Sequence, residues 1–565
     1  MNEILSRYCP RIEFDSYEDF FANYSCNVPE NFNFAWDVAD EWARIDSNKT
    51  ALVWTNDDEE LKSWTFGEMK TLSDKAANVF ISLGIDKGDV VMLMLKQRPE
   101  VWILMLALEK IGAVCIPGTY QLTQKDIEYR CNIAEVKMLI SVDDAELLGN
   151  IRGAMGECPG VIHRAVVGKD VPAGFIDMRK AIEHADSSFA RPTGNKDTRT
   201  AEPMLIYFSS GTTGMPKMVL HNHCLPLGHI VTAKYWQQVQ DGKVHLTHTD
   251  SGWAKFAWGK IYGQWICGAA VGAYDTEKFT PGGMLRALER LRPATFCAPA
   301  TVFRFLIKED LSGHDFSYIE HTSVAGEPLS PEVYNKFLEL TGLEIREGFG
   351  QSETSVMAAT FMWLPVKPGS MGKPAPLFAL NLLDENEQPC DDGIVGNISI
   401  AAAGNRTIGP SIMPGFFTGY WKDEEITNKC WYDGVYHTGD MAWHDSDGYY
   451  WFVGRNDDVI KCSGYRIGPF EVESALMEHP SVLECAVTAA PDPMRGQVVK
   501  ATVVLARGFT ASPELIKELQ NHVKRVTAPY KYPRIVEFVE ELPKTISGKI
   551  QRNIIRAIDN KSVRG

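Results

Sequence analysis

The sequence predicts a large α/β protein that carries a smaller α+β domain at its C-terminal end. Across about the first 400 residues, short apolar runs alternate with segments of helical periodicity, which is the pattern of a wound α/β core. The pattern changes near Arg455, and the remaining hundred or so residues are enough for a small domain. From this change we expect a domain of residues 1–456 and a second domain of residues 457–565, within a chain of 565 residues.

The clearest alternation lies between residues 89 and 142. Residues 89–95, which are apolar from Val90 onward, predict a buried strand, and the next helix places Val101, Leu104 and Leu108 on one face before Gly112 ends it. The predicted elements that follow are a strand at 113–117, a helix from Asp126 and a strand at 136–142. In the C-terminal part we predict helices at 469–476 and 515–526 and strands at 483–488, 498–505 and 535–538.

Composition excludes several classes of partner. The formal net charge of -16 argues against nucleic acid or an anionic membrane surface, because both favour broad basic faces. No apolar stretch approaches the roughly 20 residues that a membrane span requires, and the first residues do not resemble a signal peptide. The twelve cysteines are scattered singly, which favours a reducing compartment, so we expect a cytoplasmic protein.

A loop rich in glycine and hydroxyl groups at residues 207–217 predicts a phosphate-binding site. Glycines let backbone N–H groups converge on an anion, Ser and Thr add donors, and the final lysine adds charge. The loop is not a Walker A motif, because Pro216 precedes the lysine and no Ser or Thr follows it. The predicted phosphate-binding residues are Ser209, Ser210, Gly211, Thr212, Thr213, Gly214 and Lys217.

This loop resembles that of the adenylate-forming enzymes, the superfamily of acyl-CoA synthetases, luciferases and peptide-synthetase adenylation domains. The resemblance extends over nearly the whole chain through three further motifs, at residues 325–328, 347–354 and 436–440. It implies an ATP-dependent enzyme whose large N-terminal domain meets a small mobile C-terminal lid at a hinge. The hinge residue of the family matches Asp457.

In similar enzymes the motifs at 325–328 and 347–354 line the adenine and the acyl site. Phe349 is placed to stack on the purine, and Glu353 is placed to hold Mg²⁺, which needs only one or two carboxylates besides the substrate phosphates. The matching nucleotide-site residues in these motifs are Gly326, Glu327, Pro328, Glu347, Gly348, Phe349, Gly350, Gln351 and Ser352.

The motif at 436–440 carries a carboxylate, and a last motif at 543–550 carries a lysine. By resemblance, Asp440 accepts both ribose hydroxyls and Arg455 contacts the ribose or a phosphate. Lys549, near the C-terminus, matches the lysine that bridges the acyl carboxylate and the α-phosphate. The expected catalytic group is therefore Lys549, Glu353 and Thr212.

The chemistry explains why these residue types occur together. A carboxylate must first be activated, and its attack on the α-phosphate of ATP gives an acyl adenylate from which a thiol displaces AMP. Cationic groups must offset the repulsion between the two anions in the first step. In the second step the same lysine would obstruct the thiol, so we expect a lid that turns at Asp457 between the two half-reactions.

Within the superfamily the chain is most similar to the medium-chain acyl-CoA synthetases. The resemblance assigns the coenzyme A nucleotide to Ser463, Gly464, Tyr465, Arg466, Arg495 and Arg534, and the acyl pocket to Trp253, Ala254, Lys255, Ala325 and Gly350. Acetyl-CoA synthetases carry Trp where Gly350 stands, so a glycine leaves room for a longer acid. Lys255 should point along a channel or pair with a carboxylate, because an unpaired buried charge is costly.

The sequence leaves several alternatives open. Large aromatic residues at Trp236, Phe256 and Trp258 could shorten the pocket, so we expect short- to medium-chain acids, branched ones included. The alternatives are an acetyl- or propionyl-CoA synthetase, an enzyme that loads a carrier-protein thiol, and a non-catalytic nucleotide-binding protein. Arg495 and Arg534 favour free coenzyme A, and the presence of Lys549 argues against the last alternative. A homodimer is one open alternative for the assembly.

Overall fold

The structure, a computed structural model, describes residues 2–209, 215–401, 413–462, 465–492, 495–544 and 550–562. In chain order the strands β1 to β27 are Thr50–Asn56, Leu61–Thr65, Val90–Met94, Val114–Pro117, Val136–Val142, His163–Val167, Ile176–Asp177, Pro203–Ser209, Lys217–Asn222, Val244–Thr247, Ala270–Asp275, Thr295–Ala298, His321–Val324, Ile345–Phe349, Ala358–Ala359, Lys373–Pro374, Ala379–Leu383, Gly396–Ala401, Gly419–Tyr420, Trp431–Tyr432, Val435–His444, Tyr450–Arg455, Ile460–Cys462, Tyr465–Ile467, Val482–Asp492, Gly496–Leu505 and Ile535–Val539.

Helices separate most of these strands. In chain order the helices α1 to α18 are Glu3–Tyr8, Tyr17–Asn23, Asp40–Ile45, Phe66–Ser82, Glu100–Ile111, Gln124–Ala134, Ala145–Ala154, Met178–His184, Leu225–Ile230, Ala254–Lys260, Tyr262–Ile266, Pro281–Leu291, Ala300–Leu306, Pro331–Thr341, Glu424–Cys430, Pro469–Met477, Pro513–Val526 and Arg552–Ser562. Two π-helical segments, Ala35–Ala39 and Val231–Trp236, precede α3 and extend α9.

Two largely parallel sheets form the centre of the large domain. One has nine strands in the order β16-β15-β14-β13-β12-β10-β11-β1-β2, and the other has eight in the order β19-β9-β8-β4-β3-β5-β6-β7. The alternation predicted between residues 89 and 142 is confirmed as β3, α5, β4, α6 and β5. Gly112 ends α5 with φ +73°, a left-handed conformation that glycine adopts without strain. The expected wound α/β architecture is therefore correct.

A third sheet, built from β17, β18, β20, β21 and β22, is antiparallel throughout. Its apolar residues belong to the same core cluster as the eight-stranded sheet. It carries Asp440 on β21 opposite Arg455 on β22. The sequence argument did not predict this sheet, because its strands are short and several pair with partners distant in sequence.

The C-terminal strands β23 to β27 form a separate five-stranded sheet with α16 and α17 and its own core of aliphatic residues. All five elements that the sequence predicts here are confirmed, with ends that differ by a few residues. The short β23–β24 hairpin and the terminal helix α18 were not predicted.

Two further features bear on function. Nine of the twelve cysteines are buried, and Cys26, Cys390 and Cys430 are partly accessible. Among the described residues, no helix combines the length and the apolar composition that crossing a bilayer requires.

Candidate active site

The phosphate loop is closed at its base by two paired strands. Strand β8 ends at Ser209, β9 begins at Lys217, and these two residues face each other in an antiparallel pair. Residues Ser210, Gly211, Thr212, Thr213 and Gly214 lie outside the described residues. The structure thus shows where both ends of the predicted phosphate loop lie, with Lys217 at the end that leads into β9.

Helix α6 supports the loop from beneath. The hydroxyl of Tyr129 donates to the carbonyl oxygen of Pro216 at 3.1 Å. One residue further on, the guanidinium of Arg130 lies 5.0 Å from the ring centre of Phe208 in β8. Both contacts act on the stem of the loop, and sequence reasoning missed them because α6 precedes the loop by some 80 residues.

A tyrosine connects the phosphate loop to the predicted magnesium ligand. Tyr420 in β19 pairs with Val219 of β9, so its ring lies beside the loop, with the ammonium group of Lys217 5.0 Å from the ring centre. The Tyr420 hydroxyl donates to Oε1 of Glu353 at 2.8 Å. Burial, and then the Glu353 charge, raise the pKa of Tyr420. The tyrosine therefore stays protonated and orients the carboxylate.

The donor set around Glu353 suits Mg²⁺. Glu353 is 9% exposed, and among the described residues no group of three or more His, Cys, Asp and Glu side chains could hold a metal alone. Mg²⁺ favours one or two carboxylates, with water and substrate phosphates completing its coordination. A single oriented carboxylate beside a phosphate loop fits that preference.

Gln351 joins two of the predicted motifs. Its amide nitrogen donates to Oδ2 of Asp440 at 2.6 Å and to the carbonyl oxygen of Thr438 at 3.0 Å, while its amide oxygen accepts from the Tyr436 hydroxyl at 2.9 Å. The backbone N–H of Asp440 donates to the Thr438 hydroxyl at 3.1 Å. Asp440 is buried, and these contacts fix its position at the bulge in β21.

Arg455 lies on the other side of the same carboxylate. Its Nη1 is 3.4 Å from Oδ1 of Asp440, with the two residues paired across β21 and β22. The buried Nε of Arg455 has no hydrogen-bond partner in the part of the chain that is described. A donor oriented in this way suits a ribose hydroxyl or a phosphate oxygen.

The adenine-site motifs follow the carboxyl ends of neighbouring parallel strands. Strand β13 ends at Val324 and β14 at Phe349, and parallel pairing brings both ends to one edge of the nine-stranded sheet. Ligands of open α/β sheets bind at this edge. Phe349 is partly accessible, with its ring 5.9 Å from that of Phe452. Gly326 has φ +94° and open space where a Cβ would stand, so a ligand can approach its backbone closely.

Two glutamates of these motifs have different environments. Glu347 is buried, which raises its pKa to about 8, and it accepts a bond from the backbone N–H of Leu329 at 3.2 Å. The carboxylate of Glu327 accepts bonds from the Thr301 hydroxyl at 2.7 Å and from Arg304 at 3.0 Å. The Glu327 carboxylate therefore already has hydrogen-bond partners within the protein. Pro328 lies between Glu327 and Leu329 in the sequence.

Ser352 contributes its backbone rather than its side chain. Its carbonyl oxygen accepts a hydrogen bond from Nε2 of His221 at 2.8 Å. Burial lowers the pKa of His221 to about 4, so this histidine is neutral at physiological pH. The contact ties the residues just after the phosphate loop to the segment that carries Glu353.

The acyl-pocket residues meet between α10 and the end of β13. Trp253 precedes α10, and Ala254 and Lys255 begin it. The Lys255 ammonium donates to the carbonyl oxygen of Ala325 at 2.8 Å and lies 5.4 Å from the ring centre of Trp258. A carbonyl and an aromatic face thus neighbour the charge, and the channel or carboxylate that the sequence argument expected for Lys255 stays a prediction.

Tryptophans close one side of this region. Trp236, at the end of the π-helical segment, is buried and lies 5.7 Å from Trp258. A Cβ on Gly348 would lie 2.5 Å from the Trp236 ring. Phe256 is fully buried against Trp102 and belongs to the core, so it does not shorten the pocket directly.

The surroundings of Gly350 differ from the simple expectation. A Cβ at this position would lie 2.8 Å from the carbonyl oxygen of Ser355, a backbone atom. The glycine therefore allows close packing of two chain segments, and any side chain here must first displace Ser355. Any space that Gly350 leaves for a substrate therefore depends on the position of the segment that contains Ser355.

The predicted coenzyme A residues lie on the C-terminal sheet. Ser463, Gly464 and Lys549 lie outside the described residues. The backbones of Tyr465 and Arg466 form β24, whose partner β23 places Cys462 opposite Gly496. Arg495 adjoins this pair at the turn into β26, with its backbone N–H donating to Asp492 at 2.8 Å.

Arg534 contacts β26 further along the edge that β23 also uses. Its backbone N–H donates to Val499 of β26 at 2.8 Å, and its Nη1 donates to the Tyr532 hydroxyl at 2.7 Å. Arg495 and the Val499 that Arg534 contacts are thus four residues apart, or about 14 Å along the chain at about 3.4 Å per residue.

Comparison with protein families identifies the class of this protein. Residues 39–417 match the AMP-binding enzyme family, and residues 471–549 match the AMP-binding enzyme C-terminal domain. Human "Acyl-coenzyme A synthetase ACSM3, mitochondrial" is 40% identical over 97% of this chain and 93% of its own length. The mouse protein of the same name is 40% identical over 96% and 93%.

Solved structures agree as well. An anthranilate CoA ligase, AuaEII, in complex with anthranoyl-AMP superposes with a TM-score of 0.85 at 27% identity, over 95% of this chain and 99% of that one. An acyl-CoA synthetase from Brucella canis gives a TM-score of 0.71 at 31% identity, over 97% and 100%. The chain belongs to the AMP-binding enzyme family, among its acyl-CoA synthetases.

Proposed function

We propose that the chain joins a short- to medium-chain carboxylic acid to coenzyme A through an acyl adenylate, with release of AMP and pyrophosphate. One observation carries the proposal: residues from three separate motifs form a connected polar site, in which Tyr420 links Lys217 to Glu353 and Gln351 links the motif at 347–354 to Asp440. The sequence carries Lys549 besides these nucleotide contacts, and a protein that only bound nucleotide would not need that lysine.

Each residue of the site has a chemical part in the first half-reaction. Lys217 lies where it can bind a phosphate oxygen, and Asp440 and Arg455 can hold the ribose between an acceptor and a donor. Glu353 would hold Mg²⁺, which supplies charge neutralisation on the phosphates. Lys549 would bring the acyl carboxylate to the α-phosphate, an assignment that rests on its motif.

The second half-reaction requires a different group at the acyl carbon. The lysine must leave before a thiol can approach, so we propose that residues 457–565 turn at Asp457 between the steps. The turn after Arg455 supports this hinge, since it connects β22 of the large domain to β23 of the C-terminal sheet. Arg495 and Arg534 supply the positive charge that the phosphates of coenzyme A require.

Trp236 and Trp258 form a wall beside the acyl-pocket residues, and this wall supports the proposed size of the acid. Trp236 is held by its own N–H bond to the carbonyl oxygen of Arg346 at 3.2 Å, and it packs on Trp258. A wall fixed by a hydrogen bond limits the length of the acyl chain, which supports short to medium and branched acids over long ones. The AuaEII complex, which holds an aromatic acyl adenylate, makes a ring-bearing acid a worthwhile test substrate.

A pyrophosphate-release assay tests the proposal. Linear acids from acetate to decanoate, with branched and aromatic acids of equal carbon number, are compared with and without coenzyme A. We expect about one equivalent of pyrophosphate per enzyme without coenzyme A and multiple turnovers with it, with an optimum between four and ten carbons. An Asp440→Asn control should raise the KM for ATP. Turnover with a carrier-protein thiol but not with coenzyme A would overturn the proposal.

Cellular location and assembly are separate proposals. The free cysteines are consistent with a reducing compartment, and we propose the cytoplasm, although the relatives named above carry the word mitochondrial in their names. Fractionation of the source cells tests the location. Light scattering during gel filtration tests a homodimer.

A further inference from the structure

The terminal helix α18 presents two arginines one turn apart to the structure beneath it. Arg552 and Arg556 are four residues apart, so their side chains lie on one face of the helix. Both side chains are more than two-thirds buried, at 24% exposure each. On the same helix Ile554 and Ile558 are exposed. The arginine face is thus the one that packs against the rest of the chain.

Arg552 fixes the helix to the C-terminal domain. Its Nη2 donates to both carboxylate oxygens of Glu473 in α16, at 2.7 and 2.8 Å. Glu473 in turn accepts from the backbone N–H of Val487 in β25 at 2.7 Å. These contacts lie within the C-terminal domain and move with it as a unit.

Arg556 reaches the hinge. Its Nη1 donates to the carboxylate of Asp458 in a short ion pair, and the same nitrogen is 3.3 Å from the carbonyl oxygen of Asp457. A guanidinium nitrogen carries two N–H groups, so one can serve each acceptor. The peptide plane between Asp457 and Asp458 is therefore held against α18.

A second contact holds the other side of the hinge. The backbone N–H of Asn456 donates to the carbonyl oxygen of Gly439 at 2.9 Å, which fixes Asn456 to the antiparallel sheet of the large domain. Between the two fixed peptides, the rotatable backbone bonds are the φ and ψ of Asn456 and the φ and ψ of Asp457. The bonds from the N–H groups of Asp458 and Val459 to the Arg455 carbonyl, at 2.9 and 3.1 Å, cross this interval and must break on rotation.

We propose that Arg556 is a positioning residue that confines the lid rotation to Asn456 and Asp457. The inference rests on the two-step function proposed above. By making the peptide after Asp457 a rigid part of the lid, Arg556 lets these two residues alone act as the pivot, so that the lid reaches two defined orientations rather than a broad range. Without Arg556 the φ of Asp458 joins the pivot, and the rotation spreads over more residues.

The sequence connects this clamp to the catalytic lysine. Only Ile550 and Gln551 separate Lys549 from Arg552 at the start of α18. The backbone N–H of Gln551 donates to the carbonyl oxygen of Pro543 at 2.8 Å, which holds the helix start to the preceding segment. Helix α18 thus couples the position of the hinge peptide to that of the segment that contains Lys549.

A double-mutant cycle with proline tests the proposal. Asp457→Pro fixes φ near −65°, so with Arg556 present it should block one half-reaction and spare the other. Adding Arg556→Met opens a further pivot at Asp458. We expect the blocked half-reaction to recover about tenfold, the range expected for loss of a charged hydrogen bond. The half-reactions are measured separately, as pyrophosphate release and as thioester formation from pre-made acyl adenylate.

Two variants serve as controls. Arg556→Lys keeps a charge that can reach Asp458 and should give less than half of the recovery seen with Met. Arg507→Met removes an exposed arginine of the same domain for which the described residues show no contact, and it should give none. Thermal unfolding of each variant checks that the C-terminal domain stays folded.

The outcomes separate the two levels of the argument. If Asp457→Pro blocks one half-reaction and Arg556→Met adds to the damage or leaves the block unchanged, the clamp is refuted while the two-step function stands. If Arg507→Met also restores the blocked step, the effect is not specific and the clamp is refuted. If the unmodified enzyme makes no acyl-CoA from any acid tested, the proposed function itself fails.

Discussion

The large domain and the C-terminal domain present their functional residues in opposite ways. In the large domain, Asp440, Gln351 and Glu353 are held by hydrogen bonds to neighbours before any ligand arrives, and two of these carboxylates are almost fully buried. In the C-terminal domain, Arg495 is partly accessible and Arg534 is exposed. Arg534 is braced by a tyrosine of its own domain.

The difference indicates which part recognises and which part acts. A nucleotide that binds to a preorganised site loses little binding energy to rearrangement of the protein. Exposed cations on a small domain can instead meet the phosphates of coenzyme A in one orientation of the lid and leave them in the other. The contrast can be tested by removing one group at a time from each side.

Lys549→Ala should have the largest effect. Pyrophosphate release should fall by about a thousandfold, because Lys549 is the cation that the resemblance places between the carboxylate and the α-phosphate. Thioester formation from pre-made acyl adenylate should stay largely intact. Rapid-quench assays of the two half-reactions measure this. An equal loss in both half-reactions would show that Lys549 does not act in adenylate formation alone.

Tyr420→Phe tests the preorganisation of the large domain. Loss of the hydroxyl that orients Glu353 should cost about 1.5–3 kcal/mol of transition-state stabilisation, or roughly ten- to a hundredfold in kcat/KM for ATP. Extra magnesium should restore part of the activity. Tyr432→Phe, at a tyrosine that is 41% exposed, is the matched control and should change little. A wild-type magnesium dependence in Tyr420→Phe would argue against an oriented metal ligand.

Gly350→Trp tests the acyl side. A side chain here must displace the Ser355 carbonyl, and the bulk should shift preference toward acetate or propionate by about 1–3 kcal/mol per excluded methylene. Gly350→Ala separates the two effects, since a methyl group displaces Ser355 without filling the pocket. Relative kcat/KM values across the acid series provide the measurement. If both variants lower activity equally for every acid, Gly350 serves packing and not selection.

Tyr129→Phe should have the smallest effect. It removes one neutral hydrogen bond from the stem of the phosphate loop, worth about 0.5–1.5 kcal/mol. We expect a severalfold rise in the KM for ATP with kcat nearly unchanged, measured by steady-state kinetics. A change in acid preference instead would mean that α6 supports more than the phosphate loop.

The sequence predicted the local elements and the motif residues better than their contacts. The strand–helix alternation between residues 89 and 142 and the C-terminal elements could be identified because each rests on local periodicity. Resemblance to the family identified Glu353 and Asp440. Neither approach could find Tyr420, which reaches Glu353 only because β19 pairs with β9, some 200 residues earlier in the chain.

The same limit applies to the pocket and the hinge. Lys255 and Ala325 are 70 residues apart, and the bond between them depends on the register of α10 against the end of β13. Arg556 contacts Asp457 because α18, a helix that the sequence analysis did not predict, docks against the hinge. Contacts between distant segments are set by sheet order and helix docking, and these are tertiary properties.

The distribution of thiols makes the lid motion accessible to spectroscopy. Because nine of the twelve cysteine thiols are enclosed in the protein interior, alkylating dyes can reach few sites under native conditions. Replacing Cys26, Cys390 and Cys430 with serine should give a quiet background. One engineered surface cysteine on each domain could then carry a donor and an acceptor fluorophore, whose energy transfer would follow the domains during a single catalytic cycle.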